Sequence, residues 1–599
     1  MCGVNLVLHY PEDQAGKAIS KMMEATQHRG PDSSHFMRIG TGTYLSGNRL
    51  KILDLSDRCN QPLLTADEKG ILVWNGALYN YQDLRNELLS LGISFASQSD
   101  SEVLLYWLYT FGKKGMARLS GMYSFIFINR NSNSILIARD PLGQKPLYFH
   151  QDGNKWLFSS EFRGIFASGL VGKSWNTSQY HPYFYFRHTA PRETFHGGIQ
   201  QVLPGEALEL NFEGEMLEKQ MLDVPSKPIS LPQIDRFEEL IVDAVLKHFH
   251  ADVPVGMILS GGADSALLYQ VWFRETGIPL HSYTAVFEKK YQNKFQDFRY
   301  AKRLAKNCHG KHREILVKSE DFRRHWPAYL ETLDHPVGDT AGFLTWMISR
   351  EASPEVKVLI GGAGADELFG GYNRHKAFLL YLKYYKIAGY LKKTLSPLPV
   401  FPRMFQKLIK GIGASNMETY LNFAALQSVP PGLFADFNKW FVPENNPYKA
   451  ALNWDRDVYL IHDILKVFDN ATMAHGIEGR SPYLDMPLVN LSMSMTEQQH
   501  KSLGPKQWIK ELLVQYGSAE IANRKKLGFG LPVGEWLRDD ARFRKEVFSM
   551  LRQFESEFGG DFPVEMRKLA QKPEAGIRQS FLQLWNMYLL ASWKYTHNL

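Results

Sequence analysis

Leu259-Ser260-Gly261-Gly262-Ala263-Asp264-Ser265 is the stretch that decides the fold of most of this 599-residue chain. It follows a short apolar run at 255–259 and precedes a helical pattern at 266–275, so a strand, a Gly-rich turn and a helix succeed one another. Adjacent glycines let backbone N–H groups approach phosphate oxygens, and the N-terminus of the following helix adds a positive dipole end. Asp264 is suited to Mg²⁺, which takes one or two carboxylates together with substrate phosphates. The spacing is neither that of a Walker P-loop nor that of a dinucleotide fingerprint. Taken singly, the loop can also be read as a tight turn that needs glycine for its conformation. A second loop, Gly361-Gly362-Ala363-Gly364-Ala365-Asp366-Glu367-Leu368-Phe369-Gly370-Gly371-Tyr372, follows another apolar run at 356–360. Parallel strands present their C-terminal ends at one edge of a sheet, so Asp264 and Asp366 are expected to converge on one metal–phosphate site.

Working outward, apolar runs at 281–286 and 315–317 alternate with a helical pattern near 300–306. Alternation of this kind predicts an α/β domain, a parallel sheet with helices on its faces. From about residue 374 onward the pattern is mainly helical. Toward the N-terminus, the stretch 223–232 holds three prolines in ten residues, which favours an extended connection. Before it, short apolar runs at 71–74, 123–128, 135–138, 147–149 and 156–158 predict antiparallel strands, with Asn131-Ser132-Asn133 as a hairpin turn. Helices are expected at 82–90, behind an Asn80 cap, and at 101–109. The expected division is an α+β domain over 2–210, a connection over 211–234 and the α/β domain with its helical part over 235–599.

With 44% hydrophobic and 22% charged residues the composition is that of an ordinary soluble protein. No run approaches the ~18 apolar residues of a spanning helix, and a signal-peptide pattern is missing at the start, so a cytoplasmic protein without integral membrane association is expected. Cys2, Cys59 and Cys308 are too few and too scattered for a disulfide framework or a zinc cluster. The net charge is +7, and the acid-free segment 368–417 alone carries nine positive charges, from Arg374 to Lys410, among tyrosines. A membrane-surface or nucleic-acid role is conceivable for it, but a solvated amphipathic face is the favoured reading, and no nucleic-acid partner is expected.

Cys2 gains meaning from these loops. Removal of Met1 would leave a thiol and a free α-amine on one residue, a nucleophile carrying its own base. Cys2 and the two loops in this order resemble the glutamine-hydrolysing asparagine synthetase family. In that family a class II, N-terminal-nucleophile glutaminase of four-layer αββα build is fused to a PP-loop ATP pyrophosphatase. The similarity covers nearly the whole chain: His28-Arg-Gly-Pro-Asp32, Asn48-Arg-Leu-Lys-Ile-Leu-Asp54, Trp74-Asn-Gly-Ala-Leu-Tyr-Asn80, Ser99-Asp-Ser-Glu102 and Ala138-Arg-Asp-Pro-Leu-Gly-Gln-Lys-Pro-Leu-Tyr148 fall in family order, as do Met473-Ala-His-Gly-Ile-Glu-Gly-Arg-Ser-Pro-Tyr-Leu-Asp485 and Arg524-Lys-Lys-Leu-Gly-Phe-Gly-Leu-Pro532.

The resemblance implies roles. Cys2 matches the thiolate that attacks the glutamine carboxamide, and Asn75 with the Gly76 N–H matches the oxyanion donors. Arg49 and Asp100 match the groups that pair with the glutamine α-carboxylate and α-amine. Ser260, Gly261, Gly262, Asp264 and Ser265 match the pyrophosphate loop of an ATP site, Leu259, Ala285 and Gly362 match nucleotide-pocket positions, and Asp264 with Asp366 match the Mg²⁺ ligands. Lys526 matches a lysine over the reacting acyl-adenylate. Arg29, Asp32, Arg139 and Asp140 are read as loop-fixing ion pairs, and Glu478 and Arg480, in the helical part, as braces. The implied substrates are glutamine, ATP and a carboxylate acceptor, aspartate first, with ammonia passed inside the protein; relatives often dimerise, which leaves a homodimer open, and the sequence does not fix the oligomeric state.

Three positions depart from the family. Ala363 and Ala77 stand where Glu is common, and His335 also replaces a frequent Glu. Ala363 opens the alternative of another carboxylate acceptor, such as a uronic acid, a peptide or a cell-wall precursor. A β-lactam-synthetase-like cyclase is disfavoured by the intact Cys2, Asn75 and Asp100, because a cyclase needs no ammonia.

Overall fold

The computed structural model describes residues 2–222, 233–292, 294, 296–395, 408–441, 444–524, 528–578 and 580–598. Its first part holds two antiparallel six-stranded sheets. One runs, in spatial order, Gln200–Gln201, Tyr148–Asp152, Lys155–Ser159, Cys2–Leu8, Thr43–Arg49 and Ser33–Gly40; the other runs Met216–Met221, Glu206–Asn211, Ser134–Arg139, Gly121–Asn129, Gly70–Leu78 and Leu63–Leu64.

Two-residue periodicity explains why the sheets stack. Val4, Leu6 and Leu8 of one sheet and Ile71, Val73, Ile126, Ile128, Ile135 and Ile137 of the other share one buried cluster. Leu72 and Trp74 point the opposite way, into the helices Tyr81–Ser90 and Asp100–Phe111. The outer face of the first sheet, through Val7 and Leu157, packs on Ala15, Ala18, Ile19 and Met22 of the helix Glu12–Ala25. Helix, sheet, sheet and helix therefore form the expected four layers. Each fully buried Leu, Ile or Val contributes about 1.5–3 kcal/mol.

Three local expectations are refined. The hairpin turn lies between Gly121–Asn129 and Ser134–Arg139, with Asn133 left-handed at φ 51°. Asn80 sits at the helix start without capping it, since its side chain donates to Arg118 O and accepts from Ser120 N. Pairing extends the second sheet to Met221, beyond the expected end at residue 210. That last strand, Met-Leu-Glu-Lys-Gln-Met, is almost wholly exposed at the sheet edge, so it lacks the buried alternation that marks a strand in sequence.

The second part is built on a parallel sheet in the order Lys311–Leu316, His281–Val286, Val255–Ile258, Val358–Ile360 and Glu478–Arg480. Four of these strands match the predicted alternation. The fifth corrects the reading of Glu478 and Arg480 as helical: three residues without an apolar side chain carry no strand signal, yet they pair with Val358–Ile360 and are fully buried. Met257, Val358 and Ile360 pack on one face of the sheet, Ile258, Tyr283 and Leu359 on the other, as a parallel sheet covered on both sides requires.

The two parts are joined by buried polar contacts. Arg29, fully buried, donates to Glu161 Oε1 at 2.8 Å and to Asp469 Oδ2 at 2.9 Å. Asp334 accepts from the backbone N–H groups of Phe162 and Arg163 at 3.0 and 2.9 Å. Among the described residues, no helix is long and apolar enough to cross a membrane.

Candidate functional site

Strand register creates the first site. In the pairing of Cys2–Leu8 with Thr43–Arg49, Cys2 lies directly across from Arg49. The Cys2 backbone N–H donates to Asn75 Oδ1 at 3.0 Å, which ties the start of one sheet to a strand of the other. With its oxygen so used, the Asn75 Nδ2 group has no acceptor among the described residues. A buried amide donor without a partner is costly unless something negative arrives to take its hydrogen bond. Gly76 follows because a Cβ there would meet Met122 O at 2.1 Å.

Arg49 is held by Ser56 O at 2.6 Å, Asp54 O at 2.5 Å and Asn60 Oδ1 at 3.2 Å. Asp100 opens the helix Asp100–Phe111, whose Ser99 cap accepts from Ser101 N at 3.1 Å, and its Oδ2 accepts from Leu78 N at 3.1 Å. Burial pushes the Asp100 carboxyl up to about 6. Cys2, Arg49, Trp74, Gly76, Ala77 and Asp100 line one cavity of about 360 Å³, with Glu478 and Arg480 of the parallel sheet completing its wall. Sequence reasoning missed three contributors to this cavity. Gln61 donates from Nε2 to Cys2 Sγ at 3.1 Å and accepts from Trp74 N at 2.7 Å, but it belongs to no recognisable motif. Glu478 and Arg480, which the sequence suggests as braces of the second half, line this cavity as well.

The second site lies at the C-terminal edge of the parallel sheet. Gly261 takes φ +72°, and a Cβ there would meet Asp297 O at 2.0 Å, so only glycine fits the turn. Ser265 Oγ accepts from Ser260 N at 3.2 Å, and Ser260 Oγ accepts from Gly262 N at 3.3 Å, which folds the loop onto the N-terminus of the helix Ala263–Thr276. Gly362 lies against Asp264: a Cβ on it would sit 3.3 Å from that side chain. Asp264 and Asp366 do converge. Lys506 Nζ lies 2.7 Å from Asp264 Oδ1 and 2.5 Å from Asp366 Oδ1, so one ammonium ties both carboxylates together. Sequence reasoning missed Lys506, which lies far along the chain and outside both glycine loops.

Beside this loop, Ser260, Gly262, Thr284, Ala285, Phe287, Asp297, Phe298, Leu344 and Gly528-Phe529-Gly530 enclose about 550 Å³. Ala285 is on its wall as expected, whereas the Leu259 side chain is buried in the core and its carbonyl accepts from Thr284 Oγ1 of the neighbouring strand. Lys526 lies outside the described residues; the Gly528-Phe529-Gly530 segment after it reaches the cavity.

Several other expectations change. His335 packs among Phe162, Phe195 and Trp593 and accepts from Phe195 N at 3.1 Å; burial drives its imidazole well below the usual range, so it is a neutral core residue. Arg374 is no solvated face: its guanidinium lies 4.1 Å from the ring centres of both Tyr372 and Tyr459 and pairs with Asp455 Oδ2 at 2.9 Å. The segment's residues 396–407 lie outside the described residues. Arg139 and Asp140 fix their loop through backbone groups: Arg139 donates to the carbonyls of Gly143, Lys145 and Val202, and Asp140 accepts from the N–H groups of Tyr123, Leu142, Gln144 and Lys145.

A family model for asparagine synthase matches residues 236–595, and one for a glutamine amidotransferase domain matches residues 1–221. The chain belongs to the asparagine synthase family. It is a glutamine-hydrolysing, asparagine-synthase-like ligase of an ATP-dependent family. Asparagine synthetase [glutamine-hydrolyzing] 1 of Bacillus subtilis is 29% identical over 569 residues, covering 90% of this chain and 88% of its own. Asparagine synthetase [glutamine-hydrolyzing] of Sandersonia aurantiaca is 30% identical over 392 residues, covering 62% of this chain and 67% of its own. Among solved structures, the glutamine phosphoribosylpyrophosphate amidotransferase of B. subtilis matches at 16% identity with a TM-score of 0.29, covering 53% of this chain and 81% of that one.

The residues present fit the nucleotide and a divalent cation. Gly261, where a Cβ would meet Asp297 O at 2.0 Å, stands next to Gly262, which borders a cavity of about 550 Å³, and two carboxylates already share a cationic partner. Among the described residues there is no group of three or more His, Cys, Asp or Glu side chains set to hold a metal, so phosphate oxygens would have to complete any shell.

Proposed function

We propose that this chain hydrolyses glutamine at Cys2 and passes the ammonia to a carboxylate activated by ATP in the second site, releasing AMP and pyrophosphate. The first half, through the strand ending at Met221, would be the glutaminase, and residues from about 235 onward the synthetase. The observation that carries the reading is the convergence of Cys2, Arg49, Gly76 and Asp100 on one cavity, with Asn75 bonded to the Cys2 N–H. Cys2, freed of Met1, supplies the thiol and an α-amine held by Asn75 Oδ1. The Asn75 amide and the Gly76 N–H meet the oxyanion that forms at the glutamine carboxamide. Arg49 takes the substrate carboxylate and Asp100 the substrate ammonium.

In the second half, the loop 260–265 holds pyrophosphate oxygens against the N-terminus of its helix. Mg²⁺ would be held by Asp264 and Asp366 with those oxygens, and it supplies neutralisation of the charge that builds on the departing pyrophosphate. Lys506 keeps the two carboxylates close before any cation arrives, and can then turn its ammonium toward phosphate. Lys526 is proposed to stabilise the activated carboxylate.

Aspartate is the acceptor proposed first, giving asparagine. Ala363 favours a second reading, a different carboxylate acceptor, because its methyl group can neither take a proton nor pair with an ammonium beside the second loop. Pyrophosphate release screened against a panel of carboxylates decides between them. Aspartate alone giving signal supports the first reading; silence with aspartate and signal with another acid supports the second. Cys2→Ala should abolish glutamine-dependent amidation and spare ammonia-dependent amidation. Loss of both would contradict the two-site scheme.

A further inference from the structure

The wall of the Cys2 cavity that belongs to the other half of the protein has no role in the scheme above. Glu478 and Arg480 stand on the fifth strand of the parallel sheet, buried to 1% and 2% exposure, yet they border the same space as Asp100 and Ala77. Arg480 is already engaged. Its Nε donates to Glu478 Oε1 at 2.6 Å, and its Nη1 donates to the carbonyls of His248 and His250 at 2.8 Å each. The guanidinium is therefore a fixed support that aims the Glu478 carboxylate.

The balance of charge around the cavity is informative. Arg49 and Arg480 are positive, Asp100 and Glu478 negative. Glutamine is a zwitterion, with one end for a guanidinium and one for carboxylates. Ala77 offers only a methyl group to this wall, so it supplies no anion to the ammonium end. Arg480 is bonded to His248 O, the His248 ring lies 3.8 Å from that of Tyr79, and the neighbouring Leu78 N–H donates to Asp100, which puts this wall at the Asp100 end of the cavity. Burial opposes ionisation of Glu478, but the positive charges of Arg480, whose Nε lies 2.6 Å from its Oε1, and of Lys145 favour the anion and hold the carboxyl below the usual carboxylate range.

We infer that Glu478 is a specificity-determining residue for glutamine: together with Asp100 it seats the substrate's α-ammonium, replacing within the cavity the carboxylate that Ala77 lacks. The inference rests on the reading of the Cys2 cavity as a glutamine site. It makes substrate recognition by the glutaminase half depend on a strand of the synthetase half. That strand is also tied to the second loop, since Gly361 N donates to Arg480 O at 2.9 Å.

The test compares glutamine with its analogue lacking the α-amine, 4-carbamoylbutanoate, in the full-length chain at about pH 8. The native protein should prefer glutamine in kcat/KM, and Glu478→Gln should shrink that preference by about tenfold or more, mainly through KM for glutamine, with the analogue changed by less than about twofold. Glu478→Asp, which keeps the Arg480 pair but draws the charge back by one methylene, should lose an intermediate part of the preference, and it decides the matter if Glu478→Gln does not fold. Adding Ala77→Glu to Glu478→Gln should restore most of the preference. A purely bracing role predicts instead that both substrates lose activity in equal proportion, and that result in both variants overturns the inference. If the native protein hydrolyses neither compound, the glutamine reading of the cavity itself has failed, a result distinct from an unchanged preference.

Discussion

The two cavities satisfy their charges in different ways. Around Cys2, the key side chains are tied to the backbone: Arg49 to the carbonyls of Ser56 and Asp54, Asp100 to the N–H of Leu78, and the Cys2 N–H to Asn75. That cavity is assembled before substrate arrives. At the second site the two carboxylates share a side-chain partner, the ammonium of Lys506, which would have to yield to phosphates and a cation. A preorganised site catalyses through fixed dipoles, whereas a site held by a removable cation can change its charge as it loads. The contrast teaches that the nitrogen-donating half is built for one substrate and the activating half for a sequence of charged ones.

The strongest way to break this contrast is Lys506→Ala. It leaves Asp264 and Asp366, both largely buried, without their shared cation, at a cost of about 3–5 kcal/mol. Pyrophosphate release should fall by at least about 10²-fold with either nitrogen donor, while glutamine hydrolysis persists. Equal loss of both activities would mean that Lys506 supports the whole protein and not the second site. Next in size is Asn75→Ala, expected to lower kcat for glutamine hydrolysis by about 10²–10³-fold, as removal of one oxyanion donor does. Ammonia-dependent pyrophosphate release should stay within about twofold.

A pH profile sharpens the same comparison. The Asp100 carboxyl, raised to about 6 by burial, is charged above that pH and neutral below it. Pairing with the substrate ammonium is therefore present above about pH 6 and lost beneath it. kcat/KM for glutamine should fall about tenfold per unit on that acid limb, and Asp100→Asn should remove the break. The smallest effect belongs to Ser99→Ala, which deletes the cap of the helix carrying Asp100. Chemical denaturation should register a loss of about 1 kcal/mol, with a modest rise in KM for glutamine.

The same contrast governs what could be read from sequence. Four strands of the parallel sheet were legible because each is a short apolar run followed by a glycine turn or a helix. Glu478–Arg480 was not, because a three-residue strand of Glu, Gly and Arg is held by its neighbour and by ion pairing rather than by any propensity of its own. Met216–Met221 escaped for the opposite reason, being an exposed edge. Cys2, Arg49, Asn75 and Asp100 were accessible through the short motifs that carry the family resemblance, although the pairing that joins them is long-range. Gln61 and Lys506 were not, because their partners Cys2, Asp264 and Asp366 come from distant parts of the chain. The setting of His335 was not legible, because sequence reveals a substitution but not the aromatic core around it.

The central claim is that nitrogen moves from the Cys2 cavity to the second site inside one protein. Glutamine labelled with heavy nitrogen in its amide, supplied with ATP, the acceptor and an excess of unlabelled ammonia, tests it directly by mass spectrometry of the product. The account predicts a carboxamide enriched in heavy nitrogen well beyond the label released into solution, and no enrichment with Cys2→Ala. Product carrying the same isotope ratio as the bulk ammonia would contradict it.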